Sequence, residues 1–254
     1  MGWLAAADGH WANGQSGNGY AIVAAGIGYP VEFETVYLGD EDIRPCLGCR
    51  SCFNRGEERC PLKDDILSLK EKMKAADAVI IASPVYVNDV SGTVKMWIDR
   101  LAHTCHRPEF AGKCALLVAT AGNGPTKHAL RTMHMALSQW GFFIVGQAGF
   151  KTGALMKQAE MEAQYRKKTE RIAWNIYQAI AEQKFLNPSF LSLMTFKIQQ
   201  RYWQRSAGES IDYAYWHNRG WTVSRRSYYT DHQANPIKVL LARLSGSFLA
   251  RFVT

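Results

Sequence analysis

The stretch DAVIIASPVYVNDVSGTVKMWIDRLAH (residues 77–103) decides the fold of this chain. Its first seven residues form a short continuous apolar run, which is typical of a strand buried on both faces of a sheet. Residues 91–103 have the periodicity of a helix, and Ser91 can cap its first turn. The apolar stripe of that helix comprises Val94, Trp97, Ile98 and Leu101. A buried strand that leads into an amphipathic helix is the repeating unit of a parallel sheet.

The same alternation of strand and helix extends in both directions from this stretch. Strands are predicted at residues 3–8, 31–38, 113–120 and 142–150. Helices are predicted at residues 16–28, 64–76, 125–140 and 155–183. Asp64 or Asp65 can cap the second of these helices. The pattern predicts an α/β protein whose parallel sheet carries helices on both faces.

The C-terminal part of the chain differs in composition from the rest. The chain has 254 residues and a net charge of +8, and residues 185–254 hold nine Lys or Arg, three acidic residues and 13 of the 30 aromatic residues. We therefore predict a domain over residues 1–184 and a basic, aromatic, mostly helical extension over residues 185–254. Two helices at residues 188–205 and 236–253 are predicted to flank an irregular stretch at residues 209–230.

The last predicted helix carries one apolar stripe that comprises Ile237, Leu241, Leu244, Phe248 and Phe252. Such a stripe is typical of a core or of a subunit interface. The basic residues of this helix do not gather on one polar face, so contact with a membrane surface is not predicted. They are Lys238, Arg243 and Arg251.

Composition excludes several classes of protein. Hydrophobic residues make up 47% of the chain and charged residues 20%, which excludes a disordered protein. No apolar run reaches the roughly 18 residues of a membrane-spanning helix. The first ten residues lack the basic region of a signal peptide, so a cytoplasmic location is expected. No nucleic-acid recognition module is legible, and nucleic acid is not predicted as a partner.

Three loops follow predicted strands and are rich in Gly, Asn, Ser, Thr and Pro. They are GHWANGQS (9–16), SPVYVND (83–89) and TAGNGP (120–125). Ligands of an open parallel sheet bind beyond the carboxyl ends of its strands, where such loops meet. The first loop leads into a predicted helix N-terminus, which favours a phosphate. Tyr86 offers a flat face to a planar ring, and Gly122 and Gly124 permit close approach of the backbone.

Four cysteines form a tight cluster with the spacing C-x2-C-x2-C-x7-C, at Cys46, Cys49, Cys52 and Cys60. A cytoplasmic chain of this size needs no disulfide framework, so the cluster indicates metal or redox chemistry. The spacing leaves three alternatives open: an iron–sulfur cluster, a structural zinc ion and unligated thiols. Four interleaved arginines can offset thiolate charge, although nearby Asp and Glu residues, including Glu57 and Glu58, can already balance them on a solvated loop. Those arginines are Arg44, Arg50, Arg55 and Arg59.

Two segments together resemble a known family. SPVYVNDVSGTVKMWIDR (83–100), preceded by PCLGCRSCFNRGEERCPLKDD (45–65), resembles the flavodoxin-like NAD(P)H-dependent FMN reductases, and most of all the iron–sulfur flavoproteins. The resemblance runs from about residue 13 to residue 150. It implies a flavodoxin-like, doubly wound sheet of five parallel strands in the order 2-1-3-4-5.

The resemblance also implies where cofactors bind. The FMN phosphate would contact Asn13, Gln15 and Ser16. The isoalloxazine ring would be lined by Ser83, Pro84, Val85, Tyr86 and Asn88. The loop that closes over the ring would comprise Thr120, Gly122, Asn123 and Gly124. A [4Fe–4S] cluster would be held by Cys46, Cys49, Cys52 and Cys60. One departure stands out, because Gly9-His10-Trp11 occupies the place where the family usually has Gly-Ser-Pro-Arg.

The expected function is therefore that of an FMN-dependent oxidoreductase. Electrons would pass from NAD(P)H, or from a ferredoxin-like donor, through FMN to a second acceptor, and the chain would form a homodimer or a higher homo-oligomer. No catalytic side chain is predicted, because the cofactor performs the redox chemistry. Two alternatives are an iron–sulfur flavoprotein that acts purely in electron transfer and an FMN-free binding protein with zinc on the cysteines.

Overall fold

The chain forms a parallel sheet in the computed structural model, which describes residues 2–7, 32–153, 156–181, 187–206, 208 and 210–252. Its parallel strands are β1 (Gly2–Ala7), β2 (Glu32–Tyr37), β3 (Ala78–Tyr86), β5 (Cys114–Ala121) and β6 (Phe143–Lys151), and β4 (Asp89–Val90) is a short antiparallel partner of β3. The sheet order is β2-β1-β3-β5-β6. This architecture confirms the flavodoxin-like α/β class. The predicted helix at residues 16–28 lies outside the described residues.

Helices cover the sheet and form the C-terminal extension. The sheet is accompanied by α1 (Ser51–Arg55), α2 (Ile66–Ala75), α3 (Gly92–Arg100), α4 (Lys127–Gln139) and α5 (Gln158–Ala181). The extension contains α6 (Phe190–Arg205), α7 (Ile211–Asn218) and α8 (Pro236–Leu249). Among the described residues, no helix combines the length and the hydropathy that a membrane crossing requires.

The core lies on both faces of the sheet, as the continuous apolar runs predict. In β3, Val79 and Ile81 pack in one cluster with α2, α3 and α4, whereas Ala78 and Ile80 pack in another with α5. Each of these four side chains is fully buried. Strands covered on both sides need apolar residues at every position, which is why their sequence does not alternate.

The cap of α2 differs from the prediction. Asp65 stands at the N-cap position, but its side chain accepts no hydrogen bond from the first turn. Its carboxylate instead accepts from the Asp42 backbone N–H at 2.8 Å. The Asp64 carboxylate accepts from the Arg44 backbone N–H at 3.1 Å. Both acids therefore fasten the preceding loop to the start of the helix.

The extension has its own aromatic core, which includes Phe196, Trp216 and Trp221 and packs against Phe143 of the sheet domain. The prediction of an irregular stretch over residues 209–230 is wrong in part, because α7 occupies its first half. The Ser210 hydroxyl caps this helix by accepting from the Tyr213 N–H at 3.1 Å. Aromatic residues on several sides of α7 hide its periodicity in the sequence.

Candidate functional site

The carboxyl ends of three strands lie side by side at one rim of the sheet. Ala7 at the end of β1 pairs with Ala82, and Pro84 of β3 pairs with Thr120 of β5. The loops that follow these strands therefore leave the sheet from neighbouring positions. The first loop, with Asn13, Gln15 and Ser16, lies outside the described residues, as does the departure at Gly9-His10-Trp11. The other two loops are described and begin next to each other.

The segment predicted as a loop at residues 83–89 is mostly strand and hairpin. Ser83, Pro84, Val85 and Tyr86 continue β3, and Val87 and Asn88 form a two-residue turn into β4. Both turn residues have positive φ, at 50° and 66°, which is the signature of a type I′ turn. Positive φ is strained for a β-branched residue, and strain of this kind collects at functional sites. The turn presents Tyr86 and Val87 to solvent.

A hydroxyl fixes the base of this hairpin. The buried Ser83 Oγ accepts from the Ser91 backbone N–H at 3.1 Å and donates to the Pro84 carbonyl oxygen at 2.8 Å. Ser91 in turn caps α3 as predicted, because its Oγ accepts from the Val94 N–H at 3.3 Å. Strand, hairpin and helix are thus one hydrogen-bonded unit that positions the exposed turn.

The loop after β5 offers open space beside this hairpin. Thr120 is half-buried and Ala121 is the buried last residue of β5, after which Gly122 and Asn123 are exposed and Gly124 is half-buried. A Cβ atom built on Gly122 or Gly124 would meet no atom of the described residues within 4 Å, and neither glycine has positive φ. Among those residues, neither packing nor backbone conformation requires glycine here. Because these two glycines lack side chains, they leave room for a ligand against the backbone, and a flat ring could occupy that space.

The four clustered cysteines line one pocket. Cys46, Cys49, Cys52 and Cys60 surround a cavity of about 450 Å³, together with apolar side chains that include Leu62. Positive φ at Gly48, Arg50 and Gly56 turns the loop back on itself, so that distant cysteines meet. The Gly48 backbone N–H donates to the Cys46 Sγ at 3.5 Å. Burial raises the pKa of Cys52, and the neighbouring thiols of Cys46 and Cys60 raise it further, so positive charge nearby would favour the Cys52 thiolate.

Arg100 at the end of α3 supplies positive charge to this pocket. Its Nη2 lies 3.8 Å from the Cys60 Sγ, and its Nη1 donates to the Arg44 carbonyl oxygen at 2.9 Å. The same guanidinium forms a bidentate ion pair with Asp64, and both side chains are buried. Arg100 lies inside the segment that resembles the family, but no role was predicted for it. The contact between Arg100 and Cys60 could not be predicted, because 40 residues separate them in the sequence.

The four sulfurs are compatible with more than one occupant. A tetrahedral zinc ion with bonds of about 2.3 Å holds its sulfurs roughly 3.8 Å apart. Within the described part of the chain, no three of the cysteine sulfurs lie within 4.8 Å of one another, so the thiols are not gathered around a single point. Four thiolates are a donor set that suits both a zinc ion and an iron–sulfur cluster.

A buried network of charged side chains connects the cysteine loop, through Glu57, to Lys70 of α2 and to Arg107. Lys70 Nζ donates to Glu57 at 2.5 Å and to Glu109 at 2.9 Å, so an ammonium group already fills the space between these acids. Burial alone would raise the pKa of Glu57, but Lys70 lowers it to about 2. Glu57 also accepts from Arg107 at 3.0 Å. The expectation that Glu57 balances the interleaved arginines on a solvated loop is wrong, because Lys70 and Arg107 pair with it instead.

His103 borders both the pocket and this network. Burial lowers its pKa to about 4, so the imidazole is neutral at pH 7. Neither ring nitrogen has a hydrogen-bond partner among the described residues. The pocket therefore lies at the carboxyl-terminal end of α3, where Arg100 and His103 line it, whereas the hairpin of residues 83–90 leads into the amino-terminal end of the same helix. The nine residues of this helix span about 13 Å.

Comparison with known proteins gives a consistent family. A model of the NADPH-dependent FMN reductase family matches residues 15–154. An iron–sulfur flavoprotein of Archaeoglobus fulgidus is 33% identical over 159 residues, which cover 62% of this chain and 70% of the relative. An iron–sulfur flavoprotein of Methanosarcina thermophila is 32% identical over 133 residues, which cover 51% of this chain and 68% of the relative.

Solved structures support the fold. A flavone reductase superposes with a TM-score of 0.57 at 16% identity, covering 74% of this chain and 66% of that one. The enzyme RosB, solved with a formylated flavin phosphate intermediate, superposes with a TM-score of 0.53 at 16% identity, covering 69% of this chain and 75% of that one. At this level of identity the likeness concerns the fold alone.

Proposed function

The chain belongs to the NADPH-dependent FMN reductase family, and from this premise we propose that it passes electrons from NAD(P)H through FMN to a second acceptor. It is an oxidoreductase of the FMN-dependent class. In our proposal an iron–sulfur cluster on the four cysteines is a further redox centre. We also expect a homodimer or a higher homo-oligomer, as in the sequence-based prediction.

The observation that carries the flavin site is the shared rim of β1, β3 and β5. Ser83, Pro84, Val85, Tyr86 and Asn88 would line one side of the isoalloxazine ring. The open-space segment Thr120, Gly122, Asn123 and Gly124 would approach its other side. Asn13, Gln15 and Ser16 would hold the phosphate. Bound FMN supplies hydride and single-electron chemistry, and the protein supplies position.

Within that site the chain's own groups have distinct tasks. The hydrogen bonds of Ser83 hold the base of the hairpin in a fixed position at the end of β3. The half-exposed ring of Tyr86 can cover a flat ligand and keep water from one face. The backbone of residues 120–124 carries no bulky side chain at either glycine, so its N–H groups can approach ring heteroatoms.

We assign an iron–sulfur cluster, and not zinc, to the pocket of Cys46, Cys49, Cys52 and Cys60. The four thiols would supply its ligands, and Arg100 beside Cys60 brings one compensating charge. Relatives named iron–sulfur flavoproteins add to this assignment. The names of these relatives also support a second candidate function. In it the protein is a pure electron carrier that receives electrons from a protein donor instead of from NAD(P)H.

The test is a visible spectrum and a reductase assay of protein purified without oxygen. We expect flavin bands, about four iron and four sulfide per chain, and bleaching of the flavin when NADPH or NADH is added. Iron and flavin without bleaching would favour the electron carrier. A colourless protein with one zinc per chain would overturn both the flavin and the cluster.

A substitution at the rim tests the flavin site itself. Gly122→Val places a branched side chain where the ring would lie, so we expect FMN affinity to fall at least tenfold, roughly the effect of one or two lost contacts. The midpoint of unfolding of the flavin-free protein should change little, because no atom of the described residues lies within 4 Å of the new Cβ. Unaltered FMN affinity would place the flavin elsewhere.

A further inference from the structure

The outer face of α8 and of the turn after it is apolar and exposed. Its large side chains are between 39% and 71% exposed and comprise Ile237, Leu240, Leu241, Leu244, Phe248, Leu249 and Phe252. Of the two sequence-based alternatives for this stripe, a core and a subunit interface, packing in the core of the chain is therefore wrong. Contiguous apolar surface of this kind marks a site of interaction with a protein or a membrane.

Packing within the chain fixes this orientation. The opposite face of α8 carries small residues, and Ala242 and Gly246 are buried against α6. A Cβ atom on Gly246 would lie 2.8 Å from the Lys197 Cβ and from the Met194 carbonyl oxygen. A Leu or Phe of the stripe cannot take that place. The helix can therefore dock on α6 only with its large apolar residues outward.

The charged side chains that the structure describes on α8 and on the turn after it are all basic. They are Lys238, Arg243 and Arg251. At 100° per residue, Lys238 and Arg243 stand on opposite flanks of the stripe. The Lys238 ammonium donates to the Pro188 carbonyl oxygen at 2.9 Å and the Arg243 guanidinium to that of Ser224 at 2.7 Å, and among the described residues neither base forms an ion pair with an acid.

This charge pattern selects among possible occupants of the surface. A second copy of α8 would offer these bases no acidic partner, because the helix itself carries no Asp or Glu. An anionic lipid surface accepts the apolar stripe between its acyl chains and the flanking bases among its headgroups. The protein therefore presents both features that an anionic lipid surface binds, an apolar stripe and basic residues beside it.

We propose that α8 docks this protein onto anionic lipid membranes, with the helix axis in the plane of the interface and the stripe inserted. Fourteen residues span about 21 Å, which is shorter than the roughly 30 Å hydrocarbon core, so the helix lies on the membrane and does not cross it. The proposal is independent of the redox function. It departs from the sequence-based expectation, which gave the stripe to a core or to a subunit interface and predicted no contact with a membrane.

Flotation of the full-length protein with vesicles tests the proposal. Vesicles of equal parts phosphatidylcholine and phosphatidylglycerol should carry the protein upward, and vesicles of phosphatidylcholine alone should carry much less. Leu244→Asp should lower binding roughly tenfold or more, because one large apolar contact is lost and a negative charge is gained. Arg251→Glu should weaken binding to the anionic vesicles, and added salt should do the same.

Met135→Asp is the matched control, because Met135 is 51% exposed on α4, away from the stripe. It should bind vesicles as the unaltered protein does. Equal binding to both kinds of vesicle, no binding to either, or the same loss in the Met135→Asp and Leu244→Asp variants would overturn the proposal. Sedimentation without lipid covers the remaining case: self-association that Leu244→Asp abolishes would assign the stripe to a second copy of the chain and also overturn it.

Discussion

At the scale of single residues, Arg100 connects α3, the helix that follows the hairpin of residues 83–90, to the cysteine pocket. It ends the helix that Ser91 begins, and its guanidinium contacts Asp64, Cys60 and the backbone of the cysteine loop. Sequence analysis predicted that the four cysteines belong together, because their spacing is local. It could not find Arg100, because the side chains that meet a buried guanidinium are set by tertiary packing.

Arg100→Gln leaves the Asp64 carboxylate buried without its cation. Breaking a buried ion pair from one side costs about 3–5 kcal/mol, so we expect a loss of that order in the free energy of unfolding, measured with urea. Lys95→Gln on the same helix removes an exposed ion pair with Asp99 and should cost about 0.5 kcal/mol or less. Equal losses in the two variants would contradict the role given to Arg100.

Glu57 predicts how stability depends on acidity. Its pKa lies near 2 in the folded protein and near 4.5 ordinarily, so the folded form binds its proton less readily than the unfolded form does. The stabilisation is present above about pH 4.5 and is lost as the pH falls toward 2. Glu57→Gln should be less stable at neutral pH and should lose less stability over that acid range, as followed by urea unfolding.

The neighbouring side chain provides the control for this measurement. Glu58 is exposed, whereas Glu57 contacts Lys70 and Arg107. Glu58→Gln should therefore retain the acid dependence of the unaltered protein. A Glu57→Gln variant with that same dependence would show that another carboxylate governs the acid response.

At the scale of elements, the strands were predictable and the connection after β3 was not. Continuous apolar runs identified β3 and β5, because strands covered on both faces leave that pattern. The loop predicted at residues 83–89 is instead a hairpin whose turn contains Val87 at a φ of 50°. Gly and Asn are the usual signals of such a turn, and a valine in that position gives none.

Val87→Gly tests whether this turn stores strain. A β-branched residue in the left-handed region costs about 1–3 kcal/mol, and Val87 is almost fully exposed, so no packing is lost. We expect the free energy of unfolding to rise by about 1 kcal/mol after the greater chain entropy of glycine is subtracted. Asn88→Gly should change it by only a few tenths, since Asn tolerates this region. A less stable Val87→Gly variant would exclude strain at the turn.

At the scale of the whole molecule, the extension clamps the cysteine loop to the sheet domain. The buried Asp212 of α7 pairs with Arg107 and with His106 at 2.8 Å. The same Arg107 donates to the Cys52 carbonyl oxygen at 2.8 Å. Composition predicted that residues 185–254 form a separate unit, but it could not predict which face of the sheet domain they cover.

Asp212→Asn should loosen this clamp. Removing the acid leaves Arg107 buried with less compensation, and we expect a loss of about 3 kcal/mol in the free energy of unfolding. Because Arg107 also holds the Cys52 backbone, the variant should retain less iron per chain after purification while it binds FMN normally. Asp231→Asn, which removes an exposed pair with Arg226, should cost less than about 1 kcal/mol and keep its iron.

The contact of Asp212 with Arg107 also has a consequence for biosynthesis. During translation the cysteine loop leaves the ribosome long before α7 has been made, so the clamp is missing while the thiols are first exposed to the cell. Support for the loop is complete only when the C-terminal helices have been released and have folded back. Chains that stop before α7 should therefore hold the cysteine loop less firmly against the sheet domain than the chain with α7 does.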